Sequence, residues 1–434
     1  MVKVRRIALF WILLAGGISI LWGISIARAG NQWVDFRAIY IGSRCLIEHH
    51  NPYNVRELDA FFQAEGGVRP SDSPLERQAV TLFVNVPTTL LLTAPLALLP
   101  WGPAHVLWIA VTVGVFLLAA LLIWDLAARF APTAALWLVC ILLVNSEMIF
   151  CTGNTAGIAI GLCVIAVWCF LEGRFAPVGI LAMALSLAIK PHDAGLVWLF
   201  LLLMGGVYRK RALQSLLITG VLGLAALLWL SSVAPSWLHD WQANLAVISA
   251  RGGINEPGPA SVTAHSAAMV IDLQAAIAIF RDDPRFYNPL SYLLCGGMLL
   301  AGALQTLRKP FSPQCAWLAL AAVSALTMLV TYHKPWDAKL LLLTVPACAM
   351  LTAEGGTIRR MALLVTASGL VLTADIPLAI LTGIADHLHL STASFRGQVL
   401  TVLLLRPASL ALLVVAVFYL WMLLRRAASE HEPG

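Results

Sequence analysis

Asp35 opens the segment Asp35-Phe36-Arg37-Ala38-Ile39-Tyr40, the first polar stretch after an N-terminal apolar run, and Asn51-Pro52-Tyr53 follows it. A carboxylate at the rim of a membrane cavity can act as general base toward an acceptor hydroxyl. A solvated loop aspartate or a helix cap is the plain alternative. Arg37 and Tyr40 lie within about a turn or so of Asp35 if the segment is helical. Further along, Asn145-Ser146-Glu147 and Gly153-Asn154-Thr155 interrupt two apolar runs. Glu147 sits near the end of its run, where an ionisable group is costly unless it faces a cavity, while Asn154 or Thr155 also suits a helix start. Lys190-Pro191-His192-Asp193 joins two short apolar runs at a proline break. Lysine and histidine there could neutralise a phosphate, and snorkelling of Lys190 to the interface is the alternative. The densest cluster is 331–339, with His333, Lys334, Asp337 and Lys339 between Tyr332 and Trp336. The aromatics read as interface anchors. An anionic ligand is a reason for the cations.

These stretches must be held by a membrane-embedded scaffold. The chain has 434 residues, 60% hydrophobic and 12% charged, against roughly 45–50% and 25% in soluble domains. Apolar runs of about 18 residues or more recur, each long enough to cross about 30 Å of hydrocarbon as a helix. Lipid satisfies no backbone donor or acceptor, so helices are required. The reading is an all-α integral membrane protein, one transmembrane domain over 1–428 with a disordered tail at 429–434. Spans are expected at 7–27, 104–126, 132–150, 155–171, 176–190, 193–207, 212–232, 288–306, 314–331, 338–352, 358–382 and 399–424. The first is expected to remain as a helix, although Ala27-Arg28-Ala29 resembles a signal-peptide cleavage site.

Charge orients the spans and decides whether 82–99, which contains Pro87 and Pro95, also crosses. If it does not, and the N-terminus is cytoplasmic, Arg5, Arg129, Arg174, the 209–211 cluster, Arg308, the 359–360 pair and the 425–426 pair all fall inside. If it crosses, the later clusters become external, against the positive-inside rule. The segment 82–99 is therefore read as a re-entrant or juxtamembrane helix on the outer side, giving about twelve spans with both termini cytoplasmic. The first outer loop is 28–103 and the second large one 233–287. Within the latter, 265–280 reads as a shallow amphipathic surface helix, and Trp237 and Trp241 as headgroup anchors, packing residues or sugar platforms. Asp375 and Arg406, the conspicuous charges inside spans, are read as a structural pair or, for Arg406, a lipid-phosphate contact.

The net charge of +6 reflects short basic loops and indicates no nucleic acid. The eight cysteines show no CxxC pair or metal-type spacing, and most lie inside apolar spans, where cysteine behaves as a small hydrophobe; Cys45 and Cys151 fall toward the outer face, where a disulfide between them is a minor alternative. No P-loop and no GxGxxG opening a Rossmann unit occurs, and no soluble part is large enough for a nucleotide sugar. Any glycosyl donor would come from the membrane.

The Asp35–Tyr40 segment with Asn51-Pro52-Tyr53 resembles the opening motif of glycosyltransferase family 87. Residues 86–100, Gly153-Asn154, Ala188-Ile189-Lys190-Pro191 and His333 through Asp337 are similar to later motifs of that family, in the same order. The resemblance covers about residues 30–350. It implies a GT-C fold, a polyprenyl-phosphate sugar donor (mannose in known members), a lipid or glycan hydroxyl as acceptor, an exoplasmic site and inversion without metal or other cofactor. It makes Asp35 the expected base. Arg37, Tyr40, Glu147, Asn154, Lys190, His192, His333, Lys334 and Asp337 are expected to bind substrate or phosphate. Membrane lipids are expected partners, and a bacterial plasma membrane the expected location. Val86 stands where the family has a first proline, Asn154 where it has glutamine, and Trp336-Asp337-Ala338-Lys339 where some members have a histidine pair. A transporter or lipid flippase is the alternative, disfavoured because most charges lie at one face rather than at the midplane. A scaffold descended from an enzyme is a third reading.

Overall fold

The computed structural model describes residues 2–30, 33–67, 74–266, 269–308, 312–388 and 394–429. Among them the structure is helical throughout, with no strand. Helix α1 (Val2–Gly30) precedes a layer of shorter helices, α2 (Val34–Ile47), α3 (Val55–Ala64), α4 (Pro74–Thr81) and α5 (Pro87–Ala97). The bundle continues through α6 (Trp101–Ala127), α7 (Pro132–Val144), α8 (Glu147–Thr152), α9 (Ala156–Leu171), α10 (Ala176–Ile189), α11 (Pro191–Leu203) and α12 (Gly206–Val233). The second polar loop carries α13 (Trp237–Ser249) and α14 (Leu273–Ile277). Then follow α15 (Pro284–Arg308), α16 (Pro313–Val330), a 3-10 helix at Asp337–Leu343, α17 (Thr344–Glu354), α18 (Gly356–Leu372), α19 (Asp375–His387), α20 (Phe395–Leu405) and α21 (Pro407–Ser429). The tail from 430 lies outside the described residues; Ser429 closes α21.

Among the described residues, seven helices are long and apolar enough to cross a membrane: α1 from Arg5, α6, α7 with α8, α12, α15, α16 and α21. Five apolar helices are shorter: α5, α9, α10, α11 and α20. Helix α5, with 11 residues, rises only about 16 Å, too little for about 30 Å of hydrocarbon. Two expected spans are broken. The run 358–382 stops at Leu372, and α19 leaves at 72° to α18. The run 399–424 is split at Arg406, because Pro407 has no N–H to continue the ladder and disfavours a helical residue before it. The stretch 265–280 is not a surface helix. Among its described residues only Leu273–Ile277 is helical, and Leu273, Ala275, Ala276 and Ile271 are buried. Arg406 and Asp375 do not pair: Arg406 Nη1 donates to the Ala264 carbonyl at 2.9 Å, holding the second loop to the α20–α21 corner. Cys45 and Cys151 are both free and buried.

The main core joins α1, α6, α7, α9, α16, α17 and α21. A second apolar cluster lies beneath the first polar layer, with Phe36, Tyr40, Tyr53, Phe62, Phe83 and Trp108. Trp237 and Trp241 pack against this cluster, and Trp241 Nε1 donates to the Val84 carbonyl at 3.0 Å. Both tryptophans therefore have a packing role here. Asn51 Nδ2 donates to Asp240 at 2.7 Å, and Tyr53 Oη to the Asn85 carbonyl at 2.7 Å. The Asn51-Pro52-Tyr53 stretch latches the first loop to α13 and to the entry of α5. Basic residues assigned to one side pair with carboxylates: Arg5 reaches Asp125 at 2.8 Å, Arg129 holds Glu172 with two bonds, and Arg426 reaches Glu354 at 2.9 Å.

Candidate active site

The site begins where α8 ends. Gly153 has φ +69° and caps that helix in the left-handed region, a conformation glycine adopts without steric cost. Its carbonyl accepts from Trp108 Nε1 at 2.9 Å. Next door, Trp33 N donates to the Cys151 carbonyl at 3.0 Å, and the Phe36 ring stacks on Trp108 with centroids 4.8 Å apart. The first turn of α2 is therefore pinned against the α8–α9 junction. That brings Asp35 to Asn154, whose Nδ2 donates to Asp35 Oδ2 at 2.7 Å. The Asn154 Oδ1 accepts from Ala156 N at 2.8 Å, starting α9, and lies 3.4 Å from Lys190 Nζ.

Lys190 occupies the break between α10 and α11. Proline 191 supplies no N–H, and the carbonyls near the end of α10 are met instead by α5: Thr89 Oγ1 donates to Ile189 at 3.0 Å, and Thr88 Oγ1 donates to Ala188. The Lys190 ammonium bonds Asp337 Oδ1 and lies 3.5 Å from Asp193 Oδ2. Asp337 Oδ2 accepts from Lys334 N at 2.9 Å, closing the turn before the 3-10 helix. His333 Nε2 is 3.4 Å and His192 Nε2 3.6 Å from Asp193 Oδ1. The His333 backbone is held from the second loop, its carbonyl accepting from Ile271 N at 2.9 Å. Lys334 Nζ lies 5.8 Å from the Tyr332 ring centroid and 5.4 Å from that of Trp336, within cation–π range.

A continuous line thus runs Asp35, Asn154, Lys190, then Asp337 and Asp193, then His333 and His192. Asp35, at one end, is half-buried; Asp193, His333 and Asp337 are fully buried. Burial pushes the Lys334 ammonium down to about 8. For His333, burial lowers the imidazole, but the neighbouring Asp193 and Asp337 outweigh it and leave it above its usual value. The helices meeting here are short: α9 has 16 residues and α10 has 14, about 24 and 21 Å of rise. Both are shorter than the roughly 30 Å of hydrocarbon a full crossing requires, and their ends bring polar residues together inside the protein.

Of the expected residues, Asp35, Asn154, Lys190, His192, His333, Lys334 and Asp337 come together. Arg37 and Tyr40 do not join them. The Arg37 guanidinium lies 5.7 Å from the Phe62 ring centroid and 5.9 Å from that of Trp101. Tyr40 Oη donates to the Leu99 carbonyl at 2.8 Å. Glu147 is buried elsewhere, within electrostatic reach of Lys339 and Asp375. Asp193 is the floor residue not singled out from sequence; its spacing of three from Lys190 was the available signal.

The family model of glycosyltransferase family 87 matches residues 83–332, a region that contains Asn154, Lys190, His192 and Asp193 and begins after Asp35. No curated protein and no solved structure gives a significant match. With more than half of its length inside that match and helices able to span a bilayer, the chain belongs to glycosyltransferase family 87 and is a membrane glycosyltransferase.

Proposed function

We propose that the protein moves a hexose, mannose by family resemblance, from a polyprenyl-phosphate carrier to a hydroxyl of a lipid or glycan. The transfer takes place on the exoplasmic face of a bacterial plasma membrane and inverts the anomeric carbon. The observation that carries this reading is the line of polar side chains in which one half-buried carboxylate is joined through Asn154 to the buried Lys190 ammonium. The acceptor hydroxyl approaches Asp35 and loses its proton there as its oxygen attacks the anomeric carbon. The carrier phosphate leaves toward Lys190 and Lys334, whose charge stabilises it as it departs. Asn154 orients the Asp35 carboxylate. No metal or other cofactor is required for the base step. Glu147, Arg37 and Tyr40 lie off this line and are assigned to scaffold and entrance.

The test is transfer by purified protein from radiolabelled polyprenyl-phosphate mannose to a total membrane lipid extract, wild type against Asp35→Asn. Asparagine can still accept from Asn154, so the recess is kept while the base is lost. Turnover falls by roughly 10²-fold or more, with KM for the donor little changed. An Asp35→Asn enzyme of undiminished turnover removes Asp35 from the base role.

A further inference from the structure

Glu147 is scaffold with respect to the line from Asp35 to His333, yet its carboxylate belongs to a second polar group. Glu147, Lys339 and Asp375 are each at most 3% exposed. Lys339 is within electrostatic reach of both carboxylates, and Asp375 within reach of Glu147. The groups nevertheless do not bond. Glu147 Oε2 and both Asp375 oxygens are buried without a hydrogen-bond partner. Ionisable groups at membrane depth are costly unless they face a cavity or a ligand.

Helix ends and breaks hold the three groups in place. Glu147 opens α8, Asp375 opens α19 where the span bends by 72°, and Lys339 lies in the 3-10 helix. At three residues per turn, Lys339 is about 120° around that helix from Asp337. One element thus gives Asp337 to Lys190 and Lys339 to the second group. Asp375 is no helix cap, since neither of its oxygens accepts from a backbone N–H of α19. The dipole at the start of α19 offsets only a small part of the cost of an unpartnered buried carboxylate. The group also lies beside the proposed base: Asp35, Glu147 and Asp375 are all within electrostatic reach of the Cys151 thiol.

The orphaned atoms define the chemistry of an occupant. It must donate to carboxylates and accept from an ammonium at once. A phosphate dianion only accepts, and two carboxylates repel it. A metal cation cannot accept from an ammonium. A hydroxyl both donates and accepts, and a sugar ring presents several side by side. We propose that Glu147, Lys339 and Asp375 bind hydroxyls of a hexose ring and form a specificity-determining subsite. The hexose is that of the donor or that of a glycan acceptor, which present the same chemistry. That the occupant is a sugar rests on the glycosyltransferase reading above.

The experiment probes full-length protein in nanodiscs by saturation-transfer NMR with methyl α-mannopyranoside and methyl α-glucopyranoside. Wild type saturates the ring protons of at least one of them, and Asp375→Asn and Lys339→Met each weaken that binding roughly 10-fold or more. Because the Asp375 carboxylate has no partner, Asp375→Asn melts no lower than wild type. A melting temperature lowered by many degrees marks a purely structural charge cluster and overturns the inference. No saturation of either sugar by wild type, or equal saturation by every variant, overturns it as well and leaves only water between the three groups. Kinetics with polyprenyl-phosphate mannose and a membrane lipid extract identify the source. The variants raise KM for the donor if its hexose is bound, and KM for the acceptor if a glycan is bound; unchanged kcat/KM for both overturns the subsite and leaves the glycosyltransferase reading intact. Sugar binding by wild type with no transfer to any lipid extract strikes the transfer reaction instead.

Discussion

Lys190 lies between two fully buried carboxylates, and its contribution is best seen by removing it. A buried ion pair adds little net stability, because desolvation offsets its attraction, but deleting one partner strands the other and costs about 3–5 kcal/mol. Lys190→Met leaves Asp193 and Asp337 without their ammonium. We expect a melting temperature lowered by many degrees in thermal unfolding of nanodisc-embedded protein, with transfer lost. Lys190→Met combined with Asp337→Asn recovers part of the loss, the coupling being of order 0.5–3 kcal/mol. Strict additivity would show that the two side chains do not act together. The sequence made this cluster legible because lysine and histidine beside apolar runs demand a reason. Asp193 is less legible, since an acidic residue in a helix's first turn already has a reason in the helix dipole. Arg37 lies apart from Asp35 for a geometric reason. Two residues along a helix are about 200° apart, so it and Asp35 look to opposite sides of α2.

Helix ends, rather than helix middles, position the recess. The junction of α8 and α9 is closely packed: a Cβ on Gly153 would lie 2.7 Å from Phe36 Cβ, and the residue already has φ +69°. Gly153→Ala therefore pushes the first turn of α2 away and strains the turn. Displacement of about 1 Å at a positioned group can lower turnover by about 10²-fold. The expected outcome is a loss of turnover of that order with an unchanged far-ultraviolet circular dichroism spectrum. An alanine variant with wild-type kcat would mean that α2 is not registered through this contact. Hydropathy located the helices well and their ends poorly. The runs 358–382 and 399–424 are continuous in composition, yet the backbone breaks at Thr373–Ala374 and at Arg406–Pro407. Only the second break carries a proline signal at the break itself. The burial of 269–279 was illegible because its partners, the His333 carbonyl and the Val330 carbonyl bonded by Gln274 at 3.1 Å, come from about sixty residues away in sequence.

At the scale of the whole molecule, charge is segregated by function. Arg5, Asp125, Arg129 and Glu172 form one set of contacts, and Asp35, Lys190, Asp193, His333 and Asp337 another; no ion pair among the described residues joins the sets. The sequence carried this asymmetry through its loop lysines and arginines, which a membrane reads as an orientation signal. A donor carried on a membrane lipid and an acceptor that can enter from outside require the second set to be exoplasmic. Cysteine accessibility tests that requirement directly. Seven of the eight native cysteines are buried and Cys140 lies half-buried within α7, so background labelling is low. Gln63 in α3 and Lys210 in α12 are both exposed, and they fall on opposite sides of the expected membrane. In intact cells an impermeant maleimide labels Gln63→Cys, while Lys210→Cys reacts only after permeabilisation. The reverse pattern would turn the recess toward the cytoplasm and remove the exoplasmic acceptor from the proposed reaction.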